Sequence, residues 1–133
     1  MRPGVFRAVA RTRPAGDQGQ GRQDLVRQGH VYRRAKVEQD ILEHFEYLLG
    51  ERPEAALRFL EAVEAAFTRL AGMPLIGVAR PFNGPRLEDI RMWPVPDFEK
   101  FLIFYRPRPD GIEAMRVIYG MRDIPALMAD WEY

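Results

Sequence analysis

The sequence predicts an α+β domain of two layers, a helical hairpin packed on a small antiparallel sheet, in the order βααβββ. Three observations predict it. Apolar residues recur with helical period between Val37 and Leu70, broken once by a turn signal. Three β-branched and aromatic runs follow between Leu87 and Tyr119, separated by turn residues. A brief strand-like run, Val31-Tyr32-Arg33, precedes the helices.

The first helix is predicted from Lys36 to Leu49. Val37, Ile41, Phe45, Leu48 and Leu49 share one helical face, and Glu38, Asp40, Glu43 and Glu46 lie mostly away from it. Gly50 follows as the expected C-cap. The second helix opens at Arg52-Pro53, where a proline without an N–H costs nothing. Its stripe is Ala56, Leu60, Val63, Phe67 and Leu70, widened by Phe59 and Ala66, and Gly72 and Pro74 stop it. So short a link makes the two helices an antiparallel hairpin.

Residues 73–86 read as a loop rich in proline and glycine. Strands are then expected over Leu87–Val95, Phe98–Arg106 and Ile112–Tyr119. Asp110-Gly111 is a strong hairpin signal, and short connections make the three strands a meander. The central run Phe101-Leu102-Ile103-Phe104-Tyr105 is apolar at consecutive positions, so both faces of its strand are apolar. On a small domain that suggests a covering partner. A last helical turn capped by Asp123 is expected at the end.

The chain of 133 residues has room for one domain, with 47% apolar residues to fill its core. Residues 1–28 read as a tail with too few apolar groups to offset the entropy of ordering, and residues 29–133 as the folded domain. A disordered extension, an upstream stretch from a mis-chosen start codon and a targeting peptide are the readings open for the tail. It carries six Arg against two Asp, so the remainder has 14 basic and 17 acidic residues, a net of −3. A net-acidic domain argues against direct DNA binding, which needs cations to displace counterions from phosphates. The absence of cysteine fits a reducing cytoplasm. No apolar run approaches about 18 residues, so no membrane association is expected.

Catalytic options are few. The chain has no serine and no cysteine, and its only threonines are Thr12 and Thr68, so triad chemistry has no nucleophile in place. His30 and His44 match no metal-ligand spacing, and His44 reads as a boundary residue; neither metal nor cofactor is expected. What remains is a set of arginines on or beside the sheet: Arg80, Arg86, Arg91, Arg106, Arg116 and Arg122, with Tyr105 and Tyr119 among them. Guanidinium groups suit phosphate or carboxylate recognition and can stabilise charge on a phosphate under attack. Glu88, Asp89, Asp97, Glu99, Glu113 and Asp123 lie in the same segments, so cross-strand ion pairs compete for them. Arg122-Asp123 is a candidate internal clamp for the chain end.

Taken in order, these pieces resemble the ParE/RelE toxin superfamily. They are the acidic first helix after a short strand, then Pro53-Glu54-Ala55-Ala56 opening the second helix, then Met73-Pro74-Leu75-Ile76-Gly77, similar to the family's Pro-x-x-Gly link. Leu87 to Val95, with its arginine before a hydrophobic strand, and Phe101 to Arg106 resemble the next two strands. Asp110 to Glu113 and Val117 to Ile124 resemble the last hairpin and its exit. The tail before His30 has no counterpart.

The resemblance implies a RelE/ParE-like fold and a toxin of a type II toxin–antitoxin system, held inactive by a cognate antitoxin. The superfamily divides into ParE-like blockers of DNA gyrase and RelE-like nucleases that cut mRNA on the ribosome. Many relatives have histidine where Tyr119 stands, and tyrosine, with a reference pKa of ~10, is a poor base near neutrality. Only Lys36 and Lys100 are lysines, and the domain is net acidic, so the ParE-like branch is expected. A nuclease alternative would use Arg91, Arg106 and Tyr119, and a second alternative is a non-toxic interaction module, a degenerate member of the family. Arg80, Arg86, Arg116 and Arg122 are the candidates for contact with target or antitoxin.

Overall fold

The computed structural model describes residues 29–80 and 87–120. The elements are β1 (His30–Arg33), α1 (Ala35–Glu51), α2 (Pro53–Gly72), β2 (Val78–Ala79), β3 (Arg91–Val95), β4 (Phe98–Arg108) and β5 (Gly111–Tyr119). Two helices pack on one five-stranded sheet of order β1-β5-β4-β3-β2, the α+β architecture expected. The β3-β4-β5 meander is antiparallel throughout. The sheet as a whole is mixed, because β1 returns beside β5 in parallel, with Tyr32 opposite Glu113. That approach needs a glycine: a Cβ on Gly111, whose φ is +154°, would collide with the His30 backbone.

The helical hairpin turns on one residue. Arg52, at φ −146° and ψ 81°, separates α1 from α2. Its N–H donates to Leu48 O at 2.7 Å and its carbonyl accepts from Ala55 N at 2.8 Å. The helix therefore runs through Gly50, which is not the C-cap expected, because the chain leaves helical geometry two residues later. Val37, Ile41 and Leu48 are buried from α1, while Leu49 is exposed. From α2, Ala56, Phe59, Val63, Ala66, Phe67 and Leu70 are buried, as their period requires. These meet Phe101, Ile103, Tyr105, Ala114 and Val117 on the inner face of the sheet. Each fully buried Phe contributes about 1.5–3 kcal/mol by leaving water.

The outer face of the sheet is not the open apolar surface that the run in β4 suggests. Leu102, Phe104, Met115 and Ile118 form a second cluster there, closed by Leu87 and Ile90, and Phe104 is 0% exposed. Leu87–Ile90 were expected in the first strand of the meander. They precede it as a turn, with Leu87 and Ile90 buried in this cluster. The expected loop 73–86 contains the two-residue β2, paired with Arg91 and Met92. Met115 has no partner on β4, since Phe104 faces Arg116 and Tyr105 faces Ala114. That bulge stands directly before Arg116 and re-aims it. The predicted tail over 1–28 and the helical turn after Asp123 lie outside the described residues.

Candidate functional site

The link Pro74-x-x-Gly77 is built around one hydroxyl. Tyr105, on the inner face of β4, donates to Pro74 O at 2.7 Å and accepts the Gly77 N–H at 2.9 Å. A Cβ on Gly77 would stand 2.7 Å from Tyr105 Cε1, so the close approach requires glycine. Arg91 pairs with Tyr105 across the strands and donates from Nη1 to Leu75 O at 3.1 Å and Gly77 O at 2.8 Å. Burial pushes the Tyr105 phenol above its ordinary pKa, so it stays a neutral donor. Arg91 thus supports a loop with its guanidinium.

Across β5, Glu113 gathers three arginines. Arg34 Nη1 lies at 2.5 Å, Arg106 Nη2 at 2.8 Å and Arg108 Nη1 at 3.4 Å from its carboxylate. Burial pushes the Glu113 carboxyl up, but the hydrogen bonds from Arg106 and Arg34 outweigh it and hold the pKa below the usual value. Beside this cluster Tyr32 donates to Asp110 Oδ2 at 2.6 Å, and Arg108 lies 4.7 Å over the Tyr32 ring.

Past the end of β1, the edge of β5 is closed by α1. Asp40 Oδ2 accepts the Val117 N–H at 3.0 Å, and its two oxygens take Arg116 Nε at 2.7 Å and Nη2 at 3.0 Å. One helical turn on, His44 Nε2 donates to Val117 O at 2.7 Å. Asp40 is buried, contrary to its expected place on the solvent side of α1, because the sheet edge supplies its partners. His44 sits at the boundary of the core, edge-on to Phe101.

The three residues that a nuclease would use are spread out. Arg91 faces the loop, and Arg106 is engaged by Glu113. Tyr119 pairs with Phe101, four positions along β4 from Tyr105 and so roughly 13 Å away. Its ring packs against Phe101 and, more loosely, Tyr47, and it is half-exposed. Of the other arginines, Arg116 is held by Asp40, and Arg80 sits at the β2–β3 edge with Nη1 3.7 Å from Met92 Sδ. Arg86 and Arg122 lie outside the described residues. The loop pinned by Tyr105 was missed as a structural unit by sequence reasoning, although the Pro-x-x-Gly spacing carries its signal.

That loop presents apolar side chains to solvent: Met73 is 51%, Leu75 67% and Val78 57% exposed. A shallow cleft of 460 Å³ at the hairpin turn is lined by Arg52, Arg58, Glu61, Asp97 and Phe98, two charges of each sign. Among the described residues no three His, Asp or Glu side chains gather as a metal-binding group. No described helix is long and apolar enough to cross a membrane.

The family model described as ParE toxin of type II toxin-antitoxin system, parDE, matches residues 31–124. No curated protein sequence matches the chain. Among solved structures, one chain of the chromosomal ParDE toxin–antitoxin system from P. aeruginosa superimposes with a TM-score of 0.58 at 17% identity, covering 71% of this chain and 99% of that one. At that identity the likeness is one of fold.

Proposed function

This chain belongs to the ParE toxin family of type II toxin–antitoxin systems, and from that premise we propose that it arrests growth by binding and blocking DNA gyrase in the cytoplasm, and that a cognate antitoxin holds it inactive. The observation that carries the blocking reading is how the arginines are used. Arg91 is bonded to two carbonyls, Arg106 to Glu113 and Arg116 to Asp40. A guanidinium bound into the fold is poorly placed to meet a phosphate in a transition state. The net-acidic domain supports a protein target over direct contact with DNA.

The antitoxin part rests on the family and on the ParDE neighbour. A partner that binds only the folded toxin also stabilises it by mass action.

The experiment is induction of residues 29–133 in bacteria lacking antitoxin, with pulse-labelling of DNA and protein synthesis, beside a supercoiling assay on purified gyrase. Prompt loss of DNA synthesis and of supercoiling is expected. Prompt loss of protein synthesis with supercoiling intact would overturn the gyrase reading in favour of a nuclease acting on ribosome-bound mRNA.

A further inference from the structure

We propose that the outer groove of the helical hairpin is a docking surface for the arginine-rich N-terminal segment of this same chain, residues 2–11. This contact does not depend on which target the toxin meets.

Three observations carry it. First, the groove is apolar and open. On α1, Leu42 and Leu49 are 55% and 48% exposed, two helical turns apart on one stripe, and on α2 Leu57 is 65% exposed. Phe45 and Leu60, next on the same stripes, are half-buried against the core. The two stripes share one groove because its ends are fixed. Arg33 donates to Glu38 of α1 and to Glu64 of α2 at one end, and the one-residue turn at Arg52 joins the helices at the other. Apolar side chains gathered in this way mark a contact surface, where singly scattered ones do not.

Second, the rim is acidic. Glu54, Leu57, Glu61 and Glu64 recur along one stripe of α2, and Glu38, Leu42 and Glu46 along one stripe of α1. The cations nearby are held or face away. Arg33 is shared between Glu38 and Glu64. Arg52 and Arg58 line the cleft on the far flank of α2, with Asp97 and Phe98. Lys36 lies one turn before Asp40, on the flank that meets β5, and Arg69 lies over the Trp93 ring. Glu46, Glu54 and Glu61 are left with no ion pair among the described residues. A second copy of the chain docking by the same face brings the same carboxylates to this rim and is repelled.

Third, the chain itself carries the complement. Residues 1–28 hold six Arg against two Asp, and Val5, Phe6 and Val9 stand between Arg2, Arg7 and Arg11. Such a segment cannot build a core of its own, but it offers apolar anchors to the groove and guanidinium groups to the rim. Residues 12–28 separate it from Gly29, a stretch that reaches roughly 23 Å on average and at most about 55 Å. β1 brings the chain about 13 Å further to Arg33 at the mouth of the groove, and α1 is about 25 Å long, so the groove is within reach. Tethered in this way, the segment meets the groove at an effective concentration of about millimolar, and weak contacts suffice.

The test uses the full chain, which has no cysteine, so a single Ala8→Cys takes a spin label at one place. The label broadens the amide signals of whatever lies beside it. Broadening at residues 42–50 and 54–61 is expected at low salt, fading as salt rises. Glu46→Arg with Glu61→Arg is expected to weaken docking on the order of fivefold and to reduce the broadening. Adding Arg7→Glu and Arg11→Glu to that variant should restore it, a rescue that damage to the fold cannot produce. Both groove positions are exposed, and thermal unfolding checks that each variant is folded. Broadening that is spread evenly, placed elsewhere or indifferent to the charge reversal overturns the proposal. Broadening seen only between different molecules in a mixed sample also overturns it, because the groove then receives a neighbouring copy. A groove left unbroadened by the label and covered instead by added antitoxin overturns it as well.

Discussion

Asp40 occupies, for Val117, the place that a neighbouring strand would otherwise fill. Its Oδ2 accepts the Val117 N–H at 3.0 Å while the same carboxylate holds Arg116. Because β1 reaches only as far as Ala114, the backbone of β5 beyond it needs partners, and α1 supplies both an acceptor and, through His44, a donor. Asp40→Ala should therefore cost about 3 kcal/mol, since it takes the acceptor from the buried Val117 N–H and removes the Asp40–Arg116 ion pair together. Urea unfolding measures it. A loss below about 0.5 kcal/mol, the level of an ordinary surface substitution, would contradict this role.

The hydroxyl of Tyr105 sets the turn at Pro74–Gly77. Tyr105→Phe should cost about 1–3 kcal/mol, because two backbone groups lose one shared partner in a buried place. Gly77→Ala should cost a comparable amount or more, since the new methyl meets the ring of Tyr105 as well as its hydroxyl. The double variant should not return to the stability of Tyr105→Phe, because Cε1 and Cζ remain in the way at 2.7 and 2.9 Å. A double-mutant cycle by thermal unfolding checks it, and full relief of the clash would refute the geometry.

How much of this was legible in the sequence depends on how local each cause is. Val63 and Phe67 announce α2 because their spacing is a property of the helix itself. Phe101 to Tyr105 announce β4 for the same reason, although the sequence could not tell that Leu87 and Ile90 close its outer face. Asp40 looked like a solvated charge because nothing within its own helix reveals an open sheet edge 77 residues away. The parallel pairing of β1 with β5 and the hold of Tyr105 on Gly77 are equally remote in sequence. Among the candidate arginines, Arg106, but not Arg116 with its partner Asp40 on α1, had its competitor in view as an acidic residue. Arg91 did not, since its partners are backbone carbonyls, which composition cannot show.

Glu113 makes stability depend on acid. Its carboxyl has a folded-state pKa below the unfolded value, through its hydrogen bonds to Arg106 and Arg34. The sign follows from linkage: a group with a depressed folded pKa contributes stability above its unfolded pKa and loses it as pH falls through the folded one. Stability should thus decline as the solution is taken down through the acidic carboxylate range. Glu113→Gln should be less stable at neutral pH and show a shallower decline, by up to about one proton. Urea midpoints across that range test it. Parallel curves for the two proteins would show that Glu113 titrates alike in both states.

Tyr119 separates blocking from cleavage most cleanly. Its ring packs on Phe101 at 4.8 Å between centroids and is half-exposed, so Tyr119→Phe keeps the packing and removes only the hydroxyl. Stability should change by no more than about 0.5 kcal/mol, as for a surface substitution. A nuclease that moved a proton through this phenol would lose about 10²–10⁴-fold in rate. A toxin that blocks its target by contact would keep its growth inhibition. Retained inhibition is therefore expected, read as colony formation after induction at matched protein levels. Arg106→Ala is the weaker probe, because it also disturbs Glu113 and would lower toxicity through stability alone. Loss of toxicity in the stable Tyr119→Phe variant would place the phenol in chemistry and refute blocking as the mechanism.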